Sequence, residues 1–266
     1  MKLFFSIILL IALLYLILVG TLFLFQRSLL YYPVPYEAGI QRDEVSFEND
    51  GFRLHGWLLN KGQSSALLYF GGNSEAIQNN IAEFEWMFKD HSIYLINYRG
   101  YGKSEGKPSE AALFSDALAI YDSIRPDYQS ITVMGRSLGS GVAVYLASKR
   151  PTEQLILLTP YDSIAEIAQL HYPFVPARLV TRDRFESFSY APHVSAPVLM
   201  VTAEQDLVVP KEQALKLKTF FTATEVEYRM IHSAAHNDVT DNPEYQNLLR
   251  DFVSRQTQKP VATQLE

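Results

Sequence analysis

Residues 131–147 read ITVMGRSLGSGVAVYLA. A β-branched apolar run leads into Gly135-Arg136-Ser137-Leu138-Gly139, and a segment rich in Ala, Val and Leu at helical spacing leads out. Strand, sharp turn and helix in that order lift a serine above the end of a sheet in a strained backbone conformation. Where strand and helix crowd together, only small residues fit beside it. Gly135 and Gly139 meet that demand. Glycine is common enough that a GxSxG pattern alone says little; its position at a strand-to-helix junction is what makes Ser137 the candidate nucleophile, with acyl chemistry the implied class.

Outward from this turn the chain alternates. Residues 44–47 and 53–59 read as an antiparallel pair across Asp50-Gly51, followed by strand candidates at 66–70, 92–96, 131–134, 154–158, 198–202 and 226–231. Helical patterns cover 75–88, 110–124, 138–148, 211–220 and 243–252. The alternation predicts an α/β fold with a mainly parallel, twisted sheet and helices on both faces, with the active site at the carboxyl ends of the strands.

A serine hydroxyl needs a general base, and the base needs an acid to orient it. On such a sheet the expected order is Ser, then Asp or Glu, then His. The strand at 198–202 runs into AEQDLVVP, which sets Asp206 in a post-strand loop, and the strand at 226–231 runs into HSAAHNDV, which sets His236 likewise. Glu204, Asp162, Asp183 and Asp238 are rival acids. His232 is a rival base but abuts its strand directly, whereas His236 sits farther along in a loop of small residues. His55, His91, His171 and His193 read as structural or surface residues.

Stabilising a tetrahedral intermediate takes two backbone N–H donors, one just after the serine and one from the loop after the third strand. These are Leu138 and Asn73, the latter in FGGN at 70–73; the alternative for that segment is a tight turn capped by Asn73 or Ser74. The set requires no metal or cofactor. Residues 97–110, NYRGYGKSEGKPSE, lack a phosphate-cradling motif and read as a shaped turn at the rim. The irregular, aromatic stretch at 159–191 is either a small cap lining an acyl pocket or a crossover packed on the core. Its Arg178, Arg182 and Arg184 face either anionic headgroups or solvent.

Residues 3–25 carry no charge, and a helix of that length reaches about 35 Å, enough to cross a bilayer core. The run is longer than the apolar region of a cleaved secretory signal and no small-x-small site follows, so it reads as an uncleaved anchor. Lys2 and Arg27 nearly balance, and the short N-terminus favours N-in with the domain outside. Tyr31, Tyr32 and Tyr36 with Pro33 and Pro35 read as an interfacial belt and stiff exit linker. The expected division is an anchor at 1–26, a linker at 27–42, one α/β domain at 43–258 and a tail at 259–266. The chain has no cysteine, which removes thiol chemistry, and a net charge of −6, which argues against nucleic acid as a partner. Membrane lipid and a small or lipid-linked acyl substrate are the expected partners; oligomeric state is left open.

Taken together, GRSLGSG, NYRGYGKSEGKPSE, FGGN, AEQDLVVP and the HND after it resemble the small membrane-anchored α/β-hydrolases of the abhydrolase-domain group, over essentially the whole chain. The resemblance implies an α/β-hydrolase fold, Ser137, Asp206 and His236 as a triad, Asn73 and Leu138 as oxyanion donors, and ester or thioester substrates, often lipids or acylated proteins. Two positions depart from it: Gly71 stands where relatives commonly have histidine, and Ala235 where glycine commonly precedes the catalytic histidine. The expected function is a membrane-anchored serine esterase or thioesterase. The alternatives are a catalytically silent binding module, or an acyltransferase or peptidase using the same residues.

Overall fold

Two apolar runs separated by Asp50-Gly51 fold as a hairpin because both turn residues adopt positive φ, 50° and 76°, as a two-residue β-turn of this hand requires. Its strands are β1 (Asp43–Asn49) and β2 (Phe52–Leu59) in a computed structural model that describes residues 1–257. The tail at 259–266 lies outside the described residues. Beyond the hairpin come β3 (Ser65–Phe70), β4 (His91–Ile96), β5 (Ser130–Arg136), β6 (Gln154–Leu158), β7 (Val198–Ala203) and β8 (Val226–Ile231). Among the described residues these form one eight-stranded sheet in the order β1-β2-β4-β3-β5-β6-β7-β8. Only β1 with β2 and β2 with β4 pair antiparallel; the rest are parallel.

Helices cover both faces. On one, α3 (Glu110–Ile124), α4 (Leu138–Lys149) and α8 (Lys211–Lys218) bury residues such as Phe114, Ile120, Val142 and Leu217 against the sheet. On the other, α2 (Ile81–Met87) and α9 (Pro243–Thr257) bring in Phe84, Tyr245 and Leu249. The central strands β3, β6 and β7 are thus apolar on both sides, as parallel sheets between helix layers must be, and each fully buried Leu, Ile or Val contributes about 1.5–3 kcal/mol. The link from β6 to β7 carries three short helices, α5 (Ile164–His171), α6 (Ala177–Val180) and α7 (Ser187–Tyr190). They form a small cap above the carboxyl edge.

The structure departs from the sequence reading in three places. The helix expected at 75–88 becomes α-helical only at Ile81: Ala76 is extended, and a 3₁₀ turn spans Ile77–Asn80. Glu75 explains this, since its carboxylate accepts from Gly72 N–H, Tyr69 Oη–H and Asn80 Nδ2–H and so holds the chain in a turn. The N-terminal helix α1 (Lys2–Leu30) continues past the expected anchor boundary, to Leu30. Tyr31, expected in an interfacial belt, is buried at 4% exposure with its hydroxyl donating to Asp183. The linker that follows is docked on the domain, because Gly102 N–H donates to Val34 O and Pro35 bridges Gly102. No residue of α1 is fully buried, and the helix is long and apolar enough to cross a membrane.

Candidate active site

The turn after β5 carries Ser137 at φ 49°, ψ −117°, a conformation disfavoured for a residue with a Cβ. It is held there by packing that leaves no room on either side. A Cβ on Gly139 would lie 2.1 Å from Phe70 O, and one on Gly135 would lie 2.3 Å from Gly139 O. Ser137 N–H donates to Leu158 O at 2.9 Å, and the Ser140 hydroxyl caps Ser137 O at 2.6 Å. The strained serine therefore begins α4 with its side chain above the sheet edge.

His236 and Asp206 reach the same point from the loops after β8 and β7. His236 Nε2 is 3.0 Å from Ser137 Oγ, and His236 Nδ1 is 2.7 Å from Asp206 Oδ2. With Asp206 ionised, Nδ1 carries the proton and Nε2 is left to accept from the serine hydroxyl. The other carboxylate oxygen of Asp206 accepts from Val208 N–H and Val209 N–H, which fixes its rotamer. All three side chains are buried. The rival groups are engaged elsewhere: Glu204 faces the exposed His232 at 3.4 Å, Asp162 pairs with Lys216, Asp183 with Arg27, and Asp238 accepts from Ala235 N–H.

Opposite the serine, the loop after β3 presents Asn73. Neither its backbone N–H nor that of Leu138 donates to a protein acceptor among the described residues. Gly72 N–H, by contrast, is taken by Glu75 at 2.6 Å. The Asn73 carbonyl accepts from Tyr101 Oη–H at 2.6 Å and Tyr32 N–H at 3.2 Å, and Tyr98 Oη–H donates to Gly71 O at 2.7 Å. The 97–110 segment is thus more than a rim turn: two of its tyrosines hold the loop that faces Ser137. At Gly71 a Cβ would lie 2.8 Å from Ile77, so a larger residue there requires a different packing of that isoleucine.

Sequence reasoning missed the roles of Glu75, Tyr98 and Tyr101, whose spacing from the loop they support carries no local signal. The cap arginines remain at the surface and also pair there, Arg178 with Glu166 and Arg184 with Glu186, while Arg182 lies 4.0 Å over the Phe23 ring. Beneath the cap a mostly apolar cavity of about 290 Å³ opens onto Ser137, Leu138 and Asn73. The cap side contributes Ile164, Ile167, Val175 and Val180, and the facing wall is α1 itself, through Leu22, Phe23 and Leu30. Among the described residues no group of three or more His, Asp or Glu is arranged to hold a metal ion.

No protein-family model matches the chain. Over 231 residues it is 34% identical to an uncharacterized protein of Mycobacterium tuberculosis, covering 80% of this chain and 81% of that one. It is 27% identical to the alpha/beta hydrolase domain-containing protein WAV2 of Arabidopsis thaliana over 72% of this chain and 74% of the relative. Against the lysophosphatidylserine lipase ABHD12 of Danio rerio the identity is 31% over 61% of this chain, which spans half of the lipase, 50%. Among solved structures, the Pyrococcus furiosus esterase Pf2001 superposes with a TM-score of 0.66 at 16% identity, covering 85% of this chain and 98% of that one, a likeness of fold. The sheet order, the serine turn and these relatives agree: the chain belongs to the α/β-hydrolase family.

Proposed function

We propose that this protein is a membrane-anchored serine hydrolase that cleaves carboxylic ester or thioester bonds of lipid-like or acylated substrates through an acyl-enzyme. The observation that carries the reading is the unbroken Asp206–His236–Ser137 relay, 2.7 and 3.0 Å, at the floor of an apolar cavity. His236 Nε2 takes the Ser137 proton as Oγ attacks the carbonyl carbon, and Asp206 holds the imidazolium that forms. The backbone N–H groups of Asn73 and Leu138 receive the developing oxyanion, aided by the N-terminal end of α4. His236 returns the proton to the departing alcohol or thiol. It then deprotonates a water that attacks the acyl-serine, releasing the acid and restoring the hydroxyl. Relatives and fold neighbours named as a lipase and an esterase support ester chemistry. The α1 helix serves as the anchor, with the α/β domain on the outer side of the membrane.

Labelling of the purified protein with a fluorophosphonate, alongside Ser137→Ala and His236→Ala, tests this directly. Wild type is expected to label and to turn over p-nitrophenyl butyrate, with labelling abolished in the serine variant and reduced at least a hundredfold in rate in the histidine variant. Folded wild type that neither labels nor turns over an ester overturns the reading in favour of a silent module.

A further inference from the structure

The N-terminal helix does more than lead away from the domain. Val19, Gly20, Leu22, Phe23, Gln26 and Leu30 are its half-buried positions beyond residue 18, spaced so that they fall on one helical face. That face is seated on the cap. Tyr15 Oη–H donates to Phe174 O at 3.1 Å, Gln26 Nε2–H donates to Val180 O at 3.3 Å, and Gln26 Oε1 accepts from Arg182 N–H at 2.6 Å. Arg27 then closes a two-pronged pair on Asp183, at 2.8 and 3.0 Å. From Tyr15 to Arg27 the helix advances about 18 Å, more than half of a roughly 30 Å hydrocarbon core. A cap segment hydrogen-bonded along that stretch shares its depth.

The exposed residues of the cap tip suit that environment. Phe174 is 87% exposed and Leu179 83%, with Leu170 and Tyr172 half-exposed beside them. In water these side chains forfeit the benefit of burial; against acyl chains they recover it. The cavity opening onto Ser137 lies between this tip and α1, with Leu22 and Phe23 on one side and Val175 and Val180 on the other.

We propose that the cap tip is immersed in the leaflet on the domain side, beside the C-terminal half of α1, and that the seam between them is a portal through which the acyl chain of a bilayer-resident ester enters sideways, with α1 forming one wall of the acyl site. Immersion rests on α1 serving as the membrane anchor; the destination of the chain rests on the serine-hydrolase reading.

The absence of native cysteine makes the test clean. Full-length protein carrying Phe174→Cys, Leu179→Cys or, on the opposite side of the chain's fold, Lys61→Cys is labelled with an environment-sensitive fluorophore and reconstituted into phosphatidylcholine vesicles with or without brominated acyl chains. Brominated lipid is expected to quench positions 174 and 179 at least twofold and to leave 61 unchanged; quenching of none of the three overturns immersion. The wall is read separately, as the ratio of kcat/KM for p-nitrophenyl decanoate to that for p-nitrophenyl butyrate in wild type and in Leu22→Trp. We expect that ratio to fall at least fivefold when the indole fills the seam. An unchanged ratio, with wild type active on both esters, overturns the wall assignment and leaves the hydrolase reading standing. Wild type inert on both esters and toward a fluorophosphonate is the failure of the hydrolase reading instead, and with it of the wall as an acyl site.

Discussion

The Asn73 side chain donates from Nδ2 to the main-chain carbonyl of Leu30 at 3.0 Å, so the loop facing Ser137 is fastened to the last turn of the apolar N-terminal helix. The bond satisfies a carbonyl that a helix end leaves unpaired, and it fixes the residue whose backbone N–H we assign to the oxyanion. Asn73→Ala keeps that N–H and removes only the tie. Loss of one hydrogen bond of about 1 kcal/mol corresponds to about fivefold in rate, while complete misplacement of an oxyanion donor costs 10²–10³. A fall in kcat of about 5- to 100-fold on p-nitrophenyl butyrate, with KM little changed, is expected. Unaltered kcat would mean that Tyr101 and Tyr32 hold the loop by themselves.

Gly139 is the tightest point of the serine turn, with Phe70 O and Gly71 O at 2.1 and 2.6 Å from any Cβ built there. Both are backbone atoms of β3 and its loop and have nowhere to go. Gly139→Ala is therefore expected to destabilise by about 3 kcal/mol, the upper end for overpacking, or roughly 6–12 °C in Tm for a domain of this size. Gly141→Ala makes the contrast: its Cβ meets the Tyr161 hydroxyl at 2.5 Å, the far end of a side chain. Thermal melts of the two variants should differ by several degrees, and equal melting temperatures would refute the steric account of the elbow.

The serine turn and the parallel strands were legible because their determinants are local: apolar runs of strand length, glycine where a Cβ has no room, and loops opening at strand ends. β6 falls on residues 154–158 as its apolar run predicts, and β8 on 226–231, where apolar and charged residues alternate. What stayed hidden was set by contacts distant in sequence. Glu75 sits in a segment with good helical periodicity, and only the folded loop offers its carboxylate three donors. The seam between α1 and the cap had no signal at all, since a helix apolar on every side has no face that periodicity can single out. In sequence Arg27 is a charge flanking the apolar run, Tyr31 one of a belt of tyrosines and Asp183 a rival acid; their network exists only once α1 lies on the cap.

Burial lowers the pKa of both His55 and His91 below the ordinary value of 6.5, with Glu44 partly opposing the shift at His55. The unfolded chain then binds more protons than the folded one between the lowered values and 6.5, so stability rises with pH across that window. The contribution is fully present above pH 6.5 and is lost as pH falls through the folded-state values. Tm should therefore drop between pH 7.5 and pH 5. His91→Leu, which removes one of the two groups, should show a smaller drop; a drop as large as that of wild type would exclude His91 as a source.

Asp183 is the buried acid on which the cap and the N-terminal helix converge, accepting from Arg27 Nε and Nη2 and from Tyr31 Oη. Only the arginine can reach water, being half-exposed, so the interaction is weaker than a fully buried pair but stronger than a surface one. Asp183→Ala leaves the Tyr31 hydroxyl without its acceptor and unlatches residues 27–31 from the cap. A destabilisation of about 2 kcal/mol is expected, in line with hydrogen bonds to a charged group. The more telling readout is limited proteolysis in detergent. Residues 33–42, docked in wild type, should be cleaved several times faster in the variant, while the helix-covered sheet stays intact. Because Asn73 is tied to Leu30, the same variant should also lower kcat on p-nitrophenyl butyrate. Faster cleavage with full activity would show that the loop facing Ser137 holds its place without the latch.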